Sequence, residues 1–166
     1  MNMSQAERLI LADQLAAEHT RLLDFVRTAT VLLGLLPLLY GGLTWLYGDA
    51  LWAGNIVYGT ALAVPWAPQS WGLAMIVLGL GVIVSERMDR RRCVCIFTML
   101  TALMLSMFMV TFLVEVIANE NVSALPPALV YGVVSLLFMA RARLAWTGRA
   151  GRRRRWAFPR WKGSGG

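Results

Sequence analysis

The chain alternates long apolar stretches that contain no charge with short segments that hold nearly all of its charge. The first stretch runs from Thr28 to Tyr47, TATVLLGLLPLLYGGLTWLY, twenty residues without Asp, Glu, Lys, Arg or His. At 1.5 Å per residue it reaches about 30 Å, the thickness of a bilayer's hydrocarbon core. Pro37 is expected to kink it, which a membrane helix tolerates when neighbours satisfy the freed carbonyl. A second stretch covers Trp66 to Ser85. A third starts at Cys93, stays uncharged through Val114 and ends near 118, and a fourth covers Val122 to Ala140. Pro126-Pro127 suits the start of the fourth, because first-turn amides have no intrahelical partner.

Segments that are apolar all round need an apolar environment all round. The pattern therefore predicts an all-α integral membrane protein with four transmembrane helices, spans about 28–47, 66–85, 93–118 and 122–140, forming a domain from 28 to 140. Residues 48–65 hold one charge, Asp49, and their uncharged stretch 51–64 is only 14 residues long and carries Gly54, Asn55 and Gly59. They are read as an outer loop with a short helix lying flat.

The segment 1–27 has a different pattern. Leu11, Ala12, Leu15, Ala16, Leu22, Leu23 and Val26 share one side of a helical wheel, opposite Asp13, Gln14, Arg21 and Asp24, and Ser4 with Glu7 has capping-box spacing. An amphipathic helix on the membrane surface is expected, with a partner helix as the competing docking site. Its acidic residues and its distance from the apolar run distinguish it from a secretory leader. The segment 141–166 is a basic tail ending in Gly163-Ser164-Gly165-Gly166, which reads as a flexible linker.

Charge gives the four segments an orientation. The net charge is +7, and every basic residue falls in one of three places: before the first span, in the turn Arg87, Arg90, Arg91, Arg92, or after Ala140. The two opposite connections carry only Asp49 and Glu120, with Glu115 near a helix end. By the positive-inside rule both termini and the 86–92 turn are expected on the cytoplasmic side. Trp45, Trp52, Trp66 and Trp71 cluster toward the other side and are expected in an interfacial aromatic belt. The tail GRRRRWAFPRWK, with Arg152, Arg153, Arg154, Arg155, Trp156 and Trp161, has the chemistry of a lipid-headgroup anchor. The expected partners are anionic inner-leaflet lipids and a second copy or another membrane protein, while nucleic acid is disfavoured by the adjacent bilayer. The use of Arg for every basic residue except Lys162 points to GC-rich coding, and so to a bacterial inner membrane.

Composition agrees with a membrane protein, at 58% hydrophobic and 15% charged, against about 25% charged in soluble domains. Little chemistry is offered. Cys93 and Cys95, two apart on a helix, point away from each other and read as small apolar residues. His19 has no triad partner. Glu115 is the one candidate ion or proton site, although 22 residues after Cys93 it is expected among the outer headgroups. Asp49, Glu115 and Glu120 form a cation site only if they converge. No catalytic residue, cofactor site or metal-ligand set is predicted, and the chain is read as non-enzymatic. Packing signals are clearer. Thr98, Ala102 and Ser106 make a small-xxx-small face, and Gly72 with Gly79, like Gly34 with Gly41, share helix faces suited to close approach.

The uncharged spans, the basic turn and the end RARLAWTGRAGRRRRWAFPRWK together resemble small multi-span phage holins and holin-like proteins. That resemblance implies oligomerisation in the inner membrane and its permeabilisation. The alternatives are a non-catalytic membrane scaffold, complex subunit or superinfection-exclusion factor, and a small transporter or channel.

Overall fold

The computed structural model describes residues 5–52 and 56–156, and within these it leaves out the side chains of 5, 6, 8–10, 12, 56 and 148–156. Ser4 of the capping-box expectation, Trp161 and the terminal 163–166 lie outside the described residues, as do the side chains of Arg152, Arg153, Arg154, Arg155 and Trp156. The described chain is all helical: α1 (Gln5–Trp52), a 3-10 turn (Ile56–Tyr58), α2 (Gly59–Leu62), α3 (Gln69–Arg87), α4 (Arg91–Ala118), a second 3-10 turn (Val122–Ala124) and α5 (Leu125–Trp156). Helices α1, α3, α4 and α5 are long and apolar enough to cross a membrane.

Three boundaries differ from the sequence reading. The N-terminal segment is not a separate helix: α1 is continuous from Gln5 to Trp52, and within it only Tyr47 leaves helical dihedrals. Pro37, expected to kink the span, is buried and keeps helical dihedrals, its ring already holding φ near the helical value, and no Gly or turn signal near residue 27 interrupts the helix. At 48 residues α1 is about 72 Å long, more than twice the hydrocarbon thickness. Likewise α5 runs past Ala140 to Trp156. The segment expected as an outer loop is helical to Trp52 and then turns inward, with Trp52, Val57 and Ala61 buried.

The helices run alternately up and down. α1 packs on α3, α3 on α4 and α4 on α5, and the ring closes through the Tyr40–Tyr131 contact between α1 and α5. The start of α1, the α3–α4 turn and the end of α5 therefore lie at one end of the bundle. That turn is a Schellman closure. Arg90 N–H donates to Ser85 O (3.0 Å) and Asp89 N–H to Glu86 O (3.1 Å), with Asp89 at φ 51°. Asp tolerates this left-handed conformation better than most side chains.

The outward surface is richer in leucine than the interior. Leu32, Leu39, Leu129 and Leu136 are exposed, whereas Thr30, Thr44, Ser85, Thr98, Thr101 and Ser135 are buried. Lipid, as apolar as leucine, provides no hydrophobic drive between helices, so packing depends on small residues that let backbones approach. From Thr30 to Gly48 the buried positions of α1 are Thr30, Gly34, Pro37, Gly41, Thr44 and Gly48, at alternating spacings of four and three. Opposite them, α3 presents Gly72 and Gly79. A Cβ on Gly41 would stand 2.7 Å from Gly72 O, and one on Gly79 would stand 2.7 Å from Gly34 O. The two glycine pairs that share faces in the sequence thus meet each other across α1 and α3.

Between α4 and α5 the contact is polar. Ser135 Oγ donates to Ala102 O (2.8 Å) and lies 2.7 Å from Ser106 Oγ. Thr98, one turn before Ala102, is buried with its hydroxyl donated back to Val94 O (2.6 Å).

Overpacking a fitted contact costs about 1–3 kcal/mol. Gly41→Ala and Gly79→Ala are therefore each expected to lower the melting temperature in detergent. Gly42→Ala, where an added Cβ meets nothing within 4 Å, is expected to be neutral or stabilising by up to about 1 kcal/mol. Circular-dichroism melts of the three variants check that ordering.

Candidate functional site: a buried carboxylate beside an aromatic core

Glu115 sits in the last turn of α4, where the helix dipole disfavours negative charge, and its residue is only 2% exposed. The sequence places this carboxylate among the outer headgroups, and the structure turns its side chain into the protein. The inward fold of residues 56–62 covers it, which helix length alone does not reveal. Its charge is met by directed donors. Oε1 accepts from the Thr60 amide (2.7 Å) and the Thr60 hydroxyl (2.6 Å), and Oε2 accepts from Asn119 Nδ2 (2.6 Å). Thr60 lies in the first turn of α2, whose amides have no intrahelical acceptor. Glu115 thus caps a helix 55 residues away in sequence. Gly59 makes room for it, since a Cβ there would lie 3.1 Å from Oε1. Three charge-assisted bonds occupy most of the carboxylate's acceptor sites.

The inward segment rests on aromatic residues contributed by every helix of the bundle. Trp52 stacks on Tyr58 (centroids 4.8 Å, 13°) and meets Phe108 edge-on (5.9 Å, 89°). Phe108 in turn contacts Trp71 (4.6 Å) and stacks with Tyr131 (5.4 Å), and Phe112 contacts Tyr58 and Tyr131, each at 5.4 Å. The Trp71 indole N–H donates to Ala61 O (3.1 Å), tying α3 to the same segment. Trp52 is therefore a core residue, and Trp71 is a half-buried one packed against that core, although both are expected from sequence in the interfacial belt. Indoles can enter because the aromatic cluster is large and the Trp71 N–H finds an acceptor. Trp45 and Trp66 do remain exposed.

The other acidic residues do not join Glu115. Both Asp49 carboxylate oxygens accept from Gln69 Nε2 (3.3 and 3.2 Å). Glu120 is exposed in the α4–α5 turn, and among the described residues no three of His, Cys, Asp and Glu are grouped so as to hold a metal ion. Cys93 and Cys95 are free thiols, partly exposed in the first turn of α4.

A second polar centre lies at the opposite end and was not anticipated. Arg141, assigned by sequence to the tail, reaches back into the bundle. Its Nη2 pairs with Glu86 Oε2 at 2.7 Å, with side chains only 14% and 12% exposed, and its Nε donates to Thr30 Oγ1. Three helices are joined by one guanidinium, whose fork of donors suits such a junction. Arg27 adds donors to the carbonyls of Glu86 and Arg87 (3.4 Å each), a cation at the C-terminus of α3. Of the turn arginines, Arg87 and Arg90 are exposed, Arg91 is partly covered and Arg92 is exposed.

No family model, curated protein or solved structure matches this chain.

Glu115→Leu would strand the Thr60 donors in a buried setting, at roughly 1–3 kcal/mol. It is expected to lower thermal stability and speed amide exchange in 56–62. Glu115→Gln, which keeps an oxygen for Thr60, should fall between this variant and wild type. At the other end, Arg141→Met leaves Glu86 poorly solvated and unpaired. Breaking fully buried pairs costs about 3–5 kcal/mol, so a loss at or below the low end of that range is expected. Arg143→Met, on an exposed residue, should be near neutral. Melts in detergent compare the two.

Proposed function

We propose that this protein is a non-catalytic membrane scaffold or complex subunit, an anchor of four spans that displays two long helical extensions at one end. The observation that supports this most is the filled interior. A single-chain channel or transporter needs a polar route or an exchangeable ionisable group at depth. Here Glu115 is fully engaged as a helix cap, and Phe108 and Phe112, both buried, occupy the middle of the aromatic core. The investment of helix outside the bundle in α1, where every described residue from Leu11 to Phe25 is exposed, suits a protein that positions or recruits others.

The proposed location is a bacterial inner membrane with both termini cytoplasmic. It rests on the arginines gathered at the end of the bundle that holds the α3–α4 turn, together with the carboxylates Asp49 and Glu120 at the opposite end. In that setting the Arg152–Arg155 run and Trp156 act as headgroup anchors.

The holin-like reading is second. It is favoured by the leucine-rich outer surface, which offers area for lateral association, and it requires a pore formed between copies. Controlled expression with a potential-sensitive dye separates the two. The scaffold reading expects an intact potential, viable cells and a specific protein co-purified in mild detergent. Prompt loss of the potential on induction would replace it with the holin-like reading.

A further inference from the structure

The N-terminal part of α1 stands clear of the bundle. Every described residue from Leu11 to Phe25 is exposed, apolar and polar alike. Thr30 marks the level of the Arg141–Glu86 junction, and Leu11 lies 19 residues before it, about 28 Å further along the helix. A straight helix carries this segment beyond the reach of acyl chains. Yet it bears large apolar residues: Leu11, Leu15, Leu22 and Phe25 are 51%, 59%, 63% and 70% exposed.

Their spacing identifies what covers them. Counting Glu18, these positions advance by four, three, four and three. The same alternation continues through 29, 32, 36, 39, 43 and 46, with leucine at each except Ala29, and the leucines there are exposed. The series spans five heptads and about 52 Å, crossing from the aqueous segment into the membrane without losing register. A 3.5-residue repeat is the requirement of left-handed helix-on-helix packing. Within 11–25 Leu23 is the one large apolar residue off this line, so the apolar line there is narrow, as helix packing requires and a lipid surface does not. The opposite face of α1 already uses this repeat where it packs on α3, at 30, 34, 37, 41, 44 and 48.

We infer that α1 pairs in parallel with α1 of a second copy of this chain through the seam Leu11–Leu46. Copies inserted with one orientation present parallel α1 helices, so each layer meets its own counterpart and the spacing matches throughout. The flanks agree. In heptad terms Arg21 is a g position facing Val26, the e position of the other copy, so no like charges meet there. Glu18 alone places two like charges in the seam, a polar layer that fixes register at some cost in affinity. This deepens the scaffold reading by naming the surface and partner through which the chain assembles. It does not depend on whether a further protein is recruited.

The test is oxidative cross-linking of the full-length chain in lipid vesicles, with Cys93→Ala and Cys95→Ala removing the native thiols. Single Leu15→Cys and Leu22→Cys variants are expected to give disulfide-linked dimers, since core layers bring Cα atoms near the separation a disulfide needs. Leu23→Cys, one residue off the seam, should stay monomeric. Adding Leu15→Glu to Leu22→Cys should abolish its dimer, and Glu18→Leu should increase it. The substituted α1 side chains are all exposed in the single chain, so folding is preserved, and a melt unchanged from the Cys93→Ala, Cys95→Ala background verifies this. Equal yields at 22 and 23, or no dimer at either seam position, would overturn the inference. A dimer accompanied by no co-purified partner and by loss of membrane potential would reject the scaffold reading and leave this one standing.

Discussion

The glycine contact between α1 and α3 is the constraint from which the rest of the bundle follows. With a Cβ on Gly72 placed 2.9 Å from Gly41 O, and one on Gly79 placed 2.7 Å from Gly34 O, the two backbones approach as closely as helices allow. That approach leaves no space for large side chains at the glycine positions, so the aromatic bulk of the interior comes from the other side. Its sources are Phe108 and Phe112 on α4 and Tyr131 on α5, which reach across toward Trp71. Gly81 extends the same logic to the neighbouring pair, since a Cβ there would collide with the Phe97 ring. In a lipid environment, where burying leucine between helices gains little, contact of this kind is the available source of specificity.

The two ends of the bundle are finished in different ways. At one, a guanidinium joins three helices through a carboxylate and a hydroxyl. At the other, a carboxylate holds a short inward helix by its own amide and hydroxyl. Both place an ionisable group where solvent is scarce, and both supply it with directed partners, as burial of charge demands. The polar atoms at both ends are used for closure.

The four spans were legible because a bilayer imposes a simple rule: about twenty residues without charge. The glycine seam was also legible as a spacing, Gly34 to Gly41 and Gly72 to Gly79, although only the structure sets one pair against the other. Three features were hidden for physical reasons. The continuity of α1 through residue 27 could not be read from hydropathy, because a helix that leaves the membrane changes its surface and not its backbone. Trp52 and Trp71 looked interfacial, since position along a span says nothing about which way an indole faces. Glu115 and Arg141 looked peripheral because their partners Thr60, Glu86 and Thr30 are 55 or more residues distant. Only Asn119, four residues after Glu115, carried a local signal.

The direct test of the account is a proton contact between glycines. In lipid nanodiscs, glycine-labelled protein should give cross-peaks between the α-protons of Gly41 and Gly72 and between those of Gly34 and Gly79. They should persist when labelled chains are diluted into unlabelled ones, because the seam lies within one chain. Absence of these cross-peaks, or their loss on dilution, would contradict the account. The second outcome would show that the glycines join separate copies.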